Sequence, residues 1–317
     1  MSVKSNNQGR AYEYICLTIL NDEIRKYRSA EIIHNSAYSA AFRAWSSIGE
    51  FSQSLLVESA KAAVNTIFDM EPMIIEQSDD LLKLHIQTDK EGKDGDVRDI
   101  IISRKDVQWE IGLSIKHNHF AVKHSRLAKT LDFGQKWFGV PCSDKYWDDI
   151  KPIFEYLKLQ VDNKKNWRDL PRKDEDVYKP LLQAFIDEIA QSNKQNPDVP
   201  KKMVEYLLGE FDFYKVISID SKRITQIQTY NLHGQLNQAS RKLRPKIKVP
   251  IAYLPTRIVS LDFKPSSTNT VELYMDGGWQ FSFRIHNAAT KVETSLKFDI
   301  QIVGMPTTII SIDCRWN

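Results

Sequence analysis

The chain has 317 residues, 42% hydrophobic and 27% charged, with a formal net charge of +3, which is enough material for a large core and for two domains. No run approaches the roughly 18 apolar residues of a membrane-spanning helix, and the N-terminal "MSVKSNNQGR" lacks the apolar stretch of a secretion signal. Cys16, Cys142 and Cys314 are odd in number and far apart, which argues against a disulfide framework and a Cys-based zinc site, so the expectation is a reduced, cytoplasmic protein without a membrane partner.

In chain order, "GRAYEYICLTILNDEIRKY" places Tyr12, Ile15, Cys16, Ile19, Leu20 and Ile24 on one helical stripe, with Glu13 on its flank. Residues 30–70 are Ala-rich and predict helix, ending near Glu71-Pro72. "DLLKLHIQT" alternates as a strand does, "KEGKDGDV" is a polar turn, and "RDIIIS" is a short apolar strand. "RKDV" then turns back into "QWEIGLSIK", giving a β-meander after a helix. The segment His119 to Phe138 reads as helix, and 143–210, charged and broken by prolines, reads as a mostly helical insertion. "FDFYKVISID" is strand-like, and beyond it the chain is strand-rich with Gly and Pro punctuation. The fold class is α/β in the α+β sense. Its boundary falls near 220, dividing a 1–220 core with its helical insertion from a β-rich 221–317 region.

Charge is unevenly spread. From Lys222 to Leu261 there are eight Lys or Arg and no acid, which points to a polyanion-binding surface, since clustered cations release counterions from a phosphate backbone.

In "QWEIGLSIK", Trp109, Ile111, Leu113 and Ile115 share one face of a strand, and Glu110, Gly112, Ser114 and Lys116 share the other. A hairpin with the preceding strand brings Asp99 and Lys116 to one end of the sheet. Such a pair suits phosphodiester hydrolysis, in which carboxylate oxygens hold a hard cation and an ammonium stands beside the attacking water and the developing charge. The bland alternative is a surface salt bridge. The stricter pattern places a carboxylate two residues before the lysine, where this chain has Ser114. Glu110 lies roughly 20 Å of strand away and is a poor substitute. Glu13 and Asp96 are candidates for the second metal ligand, and the helix after the lysine offers only Asp132.

The literal string His117-Asn118-His119 cannot converge on one metal from an extended strand, because neighbours point to opposite faces. A zinc site from His117, His119 and His124 is the alternative to a hydrogen-bonding cluster of His117, Asn118, His119, Lys123, His124, Ser125 and Arg126 that fixes a phosphate backbone or reads base edges.

"GDVRDIII", "GLSIKHNHFAVKHSRL" and "LDFGQKW" resemble the HaeIII-type family of Type II restriction endonucleases, and "GGWQFSFRIHNAATKVETSLKFDIQIVG" is similar to that family's C-terminal region. "GRAYEY" suits the first helix of the wider PD-(D/E)XK nuclease fold, and the 143–210 stretch matches by position alone. The resemblance implies a PD-(D/E)XK core, a mixed central sheet flanked by helices, and a β-rich DNA-recognition region. It further implies Mg²⁺-dependent cleavage of double-stranded DNA at GGCC, between the central G and C, leaving blunt ends with 5′-phosphates. Mn²⁺ is the natural substitute cation. Motif matching makes Asp99 the metal-binding acid and Lys116 the lysine of that fold, with Glu13, Asp96 and the Ser114 position completing the candidate set.

Guanine presents acceptors in the major groove that Arg or Lys matches, and cytosine presents an amine. Arg241, Arg244, Arg257, Arg284 and Lys297, with Asn231, His286 and Asn287, are the candidate DNA contacts here, and phosphate contact is the commoner role for such groups. A palindromic target is compatible with a homodimer and with a monomer nicking each strand in turn. A cognate methyltransferase is the implied genetic partner. Two other readings stay open: a non-cleaving DNA-binding protein, kept alive by Ser114, and a structure-specific repair nuclease.

Overall fold

The structure is a computed structural model that describes residues 3–88, 96–118 and 123–316, with the backbone alone for 3–6 and 123–124. Residues 89–95, most of the expected polar turn, lie outside the described residues, as does His119. The chain divides into two compact units, each assembled from separate stretches. One holds 1–120, 209–252 and 307–317, and the other holds 121–208 and 253–306.

The first unit begins with α1 (Val3–Ile24), β1 (Ala30–Ile32), α2 (Ser36–Ser47) and α3 (Glu50–Met70). The stretch 30–70, expected to be helical, is therefore a short strand followed by two helices. Asn35 caps α2 by accepting the Tyr38 amide at 2.8 Å, and Gly49 interrupts the run before α3. α3 ends at Glu71 because Pro72 has no amide hydrogen to extend it. The meander follows as β2 (Leu82–Ile86), β3 (Ile100–Arg104) and β4 (Trp109–His117), and β6 (Phe213–Ile219), β7 (Ile224–Tyr230) and β12 (Ser311–Arg315) complete a sheet in the order β1-β2-β3-β4-β6-β7-β12. β1–β2 and β4–β6 pair parallel and the other neighbours antiparallel, so the sheet is mixed. One face packs against α1 and α3 through Tyr12, Ile15, Leu20, Val64 and Ile67 against Ile102, Leu113, Ile115 and Val216. The expected boundary residue Asp220 lies in the turn joining β6 to β7 within this sheet.

The second unit contains β5 (Lys123–Ala128), α4 (Phe133–Phe138), α5 (Asp144–Asp162), α6 (Lys179–Gln195) and α7 (Val199–Leu208), followed by β8 (Ile258–Phe263), β9 (Thr270–Met275), β10 (Gln280–His286) and β11 (Ser295–Gly304). Its sheet runs β5-β11-β10-β9-β8. The predicted helix over 119–138 is corrected: residues 123–128 form a strand because they pair antiparallel with β11, and among the described residues of that stretch the helix is Phe133–Phe138. The 143–210 stretch is helical as predicted. Alternation governs this sheet. Phe281, Phe283, Ile285, Leu296, Phe298 and Ile300 are buried on one face, where Trp137 of α4 and Phe185 of α6 meet Phe283 and Phe298. The other face carries the polar partners of each strand.

Candidate active site

The hairpin places Asp99, Ser114 and Lys116 together at one end of the seven-stranded sheet. Asp99 donates its amide to the Leu113 carbonyl at 2.8 Å and accepts the Gln87 amide at 2.9 Å, so its backbone extends the β2–β3–β4 ladder. The Asp99 Oδ2 atom accepts from Lys116 Nζ at 2.8 Å, from the Ile115 amide at 2.6 Å and from Ser114 Oγ at 3.3 Å. These contacts fix the carboxylate, yet about a quarter of each of the Asp99 and Lys116 side chains stays exposed at 24% and 26%. Burial pulls the Lys116 ammonium towards neutrality, but the charge and hydrogen bond of Asp99, with the charge of Glu13 on α1, outweigh it and raise the pKa above the ordinary lysine value. Lys116 is therefore a cation at neutral pH. Glu13, half-buried on α1, is thus within electrostatic reach of the same corner.

Asp96 is placed differently from its predicted role. Its carboxylate accepts from the Arg98 amide, Nε and Nη2, and from Gln87 Nε2 at 2.6 Å, so it anchors Arg98. Arg98 also reaches Glu110 at 2.9 Å and lies over the Phe211 ring, 4.0 Å from its centroid. Its aliphatic stem crosses Gly112 so closely that a Cβ there would come within 2.0 Å of Arg98 Cδ, which explains the glycine in mid-strand.

Beyond Lys116 the strand ends in a second cluster. His117 Nε2 lies 2.9 Å from Asp220 Oδ2, and Asn118 donates its side-chain amide to the same oxygen at 3.0 Å. The Asp220 amide returns a bond to Asn118 Oδ1 at 3.0 Å, and the Ser218 hydroxyl donates to Asp220 Oδ1 at 3.1 Å. Burial would raise the Asp220 carboxyl, but these donors and the charge of His117 hold it below the usual range. His117 and Asn118 thus tie β4 to the β6–β7 turn. The side chains of Lys123 and His124 lie outside the described residues, so the zinc alternative with His117 and His119 has no described trio behind it. Among the described residues, no group of three His, Cys, Asp or Glu is close enough to hold a metal by itself.

One site residue escaped sequence reasoning. Lys215 on β6 pairs in register with Ser114, so their side chains share a face, and it is 5% exposed. Burial and the charge of Lys116 push its amine down to about 7, while Asp99 pulls the other way. The available signal was a lone cation inside the strand-like, mostly apolar run Phe213–Ile219.

The remaining predicted DNA contacts divide sharply. Ser125 is 6% exposed and shares a hydrogen bond with Tyr206, and Asn231, 2% exposed, accepts the Leu236 amide and donates towards the Val249 carbonyl. Asn287 accepts the Glu293 amide and donates to the Ala289 and Lys291 carbonyls. These three are corrected from DNA contacts to internal ties, because their polar groups are consumed by neighbouring backbone or side chains. Arg284, His286 and Lys297 stand on the polar face of the five-stranded sheet, where Arg284 pairs in register with Asp299 and His286 with Lys297. Arg126 pairs with Lys297 from β5 and donates to Ser295 Oγ at 2.8 Å. A concavity of about 510 Å³ on this face is lined by Lys264, Ser267, Thr270, Arg284, Asp299 and Gln301, among others. In the basic stretch, Arg223 pairs with Glu58 at 2.6 Å and Lys246 with Asp69 at 2.7 Å, so α3 supplies acids that the stretch lacks. Arg244 holds the Ser240 carbonyl at 2.7 Å, while Arg241 and Arg257 are exposed.

The HaeIII restriction endonuclease family model matches residues 9–306. The chain belongs to the HaeIII restriction endonuclease family. It is 51% identical over 318 aligned positions to the Type II restriction enzyme HaeIII of Haemophilus aegyptius, spanning 100% of both chains. No solved structure matches it. The family match includes the Asp99–Lys116 corner and the polar sheet face. No helix among the described residues is long and apolar enough to cross a membrane.

Proposed function

We propose that this member of the HaeIII family hydrolyses double-stranded DNA at GGCC, between the central G and C, with Mg²⁺ as cofactor and blunt 5′-phosphate ends as product. The observation that carries the catalytic half is the fixed Asp99 carboxylate beside the charged Lys116 on one hairpin, a lysine at which the charge of Glu13 is also felt. The family carries the target. A PD-(D/E)XK core is the corresponding reading of the mixed sheet with α1 and α3 on one face, and Ser114 is its departure from the strict pattern.

The donor set fits Mg²⁺, which needs one or two carboxylates and takes its remaining ligands from water and phosphate. Asp99 and Glu13 would hold it, while Asp96 is occupied with Arg98. Bound there, Mg²⁺ or its substitute Mn²⁺ would supply Lewis-acid charge to the scissile phosphate. Lys116, being cationic, orients the attacking water and stabilises the charge that develops on the phosphoryl oxygens rather than removing a proton. Ser114 and the Ile115 amide hold Asp99 in position. The polar face bearing Arg126, Arg284, His286 and Lys297, together with exposed Arg241, Arg244 and Arg257, is the proposed DNA-contacting surface. A cognate methyltransferase protecting host GGCC sites, a cytoplasmic location and a homodimer matched to the palindrome belong to the same reading.

The decisive experiment incubates the protein with unmethylated plasmid in Mg²⁺, with an EDTA control, and sequences the fragment ends. Blunt GG/CC ends that appear only with metal support the reading in full. Discrete ends elsewhere would keep the chemistry and discard the target. Retained DNA binding with no cleavage in Mg²⁺ or Mn²⁺ would favour the second reading, a non-cleaving binder, for which Ser114 in the carboxylate position is the specific observation. Cleavage of junctions without sequence preference would favour a structure-specific repair nuclease.

A further inference from the structure

Two loops of the second unit are stitched together at one end of the five-stranded sheet. One, 163–168, follows α5, and the other, 287–293, joins β10 to β11. The Trp167 amide donates to the Thr290 carbonyl at 2.9 Å and the Val292 amide to the Lys165 carbonyl at 3.1 Å, an antiparallel bridge centred on Asn166 and Lys291. The hairpin loop is also braced from within. The Asn287 side chain donates to the Ala289 and Lys291 carbonyls and accepts the Glu293 amide, and Val292 is buried. The joined loops therefore form a fixed platform.

The platform is cationic. Lys164, Lys165, Arg168 and Lys291 are all exposed. The acids on and beside these loops are answered locally: Asp162 by Lys158, Asp169 by Arg168 and the Asn166 side-chain amide, and Glu293 by the Ala288 amide and Arg126. Lys164, Lys165 and Lys291, by contrast, have no ion pair among the described residues. Lys164 is held in the left-handed region at φ 55°, where a helix end ordinarily carries glycine. A cation complements the negative end of a helix, which accounts for a lysine after α5 but not for Lys291 on the other loop. The hairpin loop leaves the sheet directly after His286, which pairs in register with Lys297, itself paired with Arg126. The platform thus continues the row of basic side chains on the polar face.

We propose that the joined loops are a phosphate grip for duplex DNA, with Lys164, Lys165 and Lys291 as its contacts, adjoining the polar face and indifferent to base sequence. The inference rests on the reading of that face as the DNA-contacting surface. Like charges gathered on a fixed support repel one another, and a phosphate backbone offsets that repulsion while releasing its own counterions. A lysine ammonium is a point charge without the planar fork of arginine, so these contacts supply affinity and register rather than sequence. The helical 143–210 stretch thereby gains a part in binding, because it supports one of the two loops and locks the other.

The test follows duplex binding by fluorescence anisotropy in EDTA over a range of salt concentrations, with one duplex containing GGCC and one with that site scrambled. In the full chain, Lys164→Gln/Lys165→Gln/Lys291→Gln should lower the slope of log K against log[salt] by about two to three, at about 0.9 per phosphate contact, equally for both duplexes. The control, Lys145→Gln/Lys179→Gln/Lys201→Gln, removes three cations that already pair with acids one helical turn away, and should change the slope by less than about one. An equal fall in the control would overturn the proposal, as would an unchanged slope in the first variant or a loss confined to the GGCC duplex. Should the first variant not fold, judged by circular dichroism, Lys291→Gln alone should lower the slope by about one, and an unchanged slope there would overturn the proposal. A wild type that binds neither duplex would overturn this inference and the DNA-contact reading together, whereas the other adverse outcomes leave that reading standing.

Discussion

The two sheets carry their charged side chains in opposite ways. In the seven-stranded sheet, Asp99, Lys116 and Lys215 lie together on the central strands, partly or fully buried, and Asp99 is fixed by a backbone amide and two side chains. In the five-stranded sheet the charges line an accessible face in cross-strand pairs. The Arg284–Asp299 pair there is loose, 3.5 Å apart, with 57% of the arginine side chain exposed. In the role proposed for it, a carboxylate that holds a cation in one place gains from being over-determined, and burial strengthens each interaction it makes. Side chains proposed to meet a duplex gain from reach and from hydration they can shed.

The sharpest way to break that contrast is at the fixed corner. Asp99→Ala or Lys116→Ala should lower cleavage at least ~100-fold, on the scale of losing a group that stabilises transition-state charge, while binding of a GGCC duplex in EDTA changes little. Cleavage that survives in either variant would remove the assignment. Next in size is Gly112→Ala, which drives a methyl into the Arg98 stem. The expected cost is about 1–3 kcal/mol in urea unfolding, with reduced cleavage because Arg98 immediately precedes Asp99. An unchanged midpoint would show that Arg98 moves aside freely.

A third test concerns Glu71, which lies fully buried and accepts from Tyr214 Oη and the Asn237 amide at 2.5 Å each. Burial outweighs those bonds and raises its carboxyl to about 7. The folded state therefore holds this proton more tightly than the unfolded chain does. The stability it contributes is complete below the ordinary value of 4.5 and is lost as pH rises through about 7. The slope can be no steeper than about 1.4 kcal/mol per pH unit, the limit for one proton. Glu71→Gln should flatten stability against pH between those values; an identical slope in the variant would place the proton elsewhere. The smallest effects belong to the accessible sheet. Arg284→Ala and Lys297→Ala should each reduce the salt slope of log K for duplex binding by about one, if each neutralises a phosphate. A loss confined to GGCC with the slope intact would instead mark a base contact.

The sequence pattern carried the meander, the helical 143–210 stretch and the meeting of Asp99 with Lys116, because strand alternation and a short turn suffice to bring those residues together. It did not carry β5, whose conformation is set by pairing with β11, more than 150 residues further along the chain. Nor did it show which neighbours would take the polar groups of His117, Asn118, Ser125, Asn231 and Asn287. Residue type shows what a side chain can bond to, but the partner that takes it is decided by tertiary neighbours such as Asp220 or Tyr206. Lys215 was passed over for the converse reason, since its significance comes from standing next to Ser114, 101 residues earlier in the chain.

The way the chain is threaded constrains how the family can change. Each compact unit is built from non-contiguous stretches, with crossings near 120, 208, 252 and 306. A cut near 220 would take β7 and β12 from the sheet that bears Asp99 and would part β5 from β11. Neither unit is a contiguous segment that can be lifted out as a cassette, so exchanging a terminal segment for that of another nuclease would break strand pairings in both sheets at once.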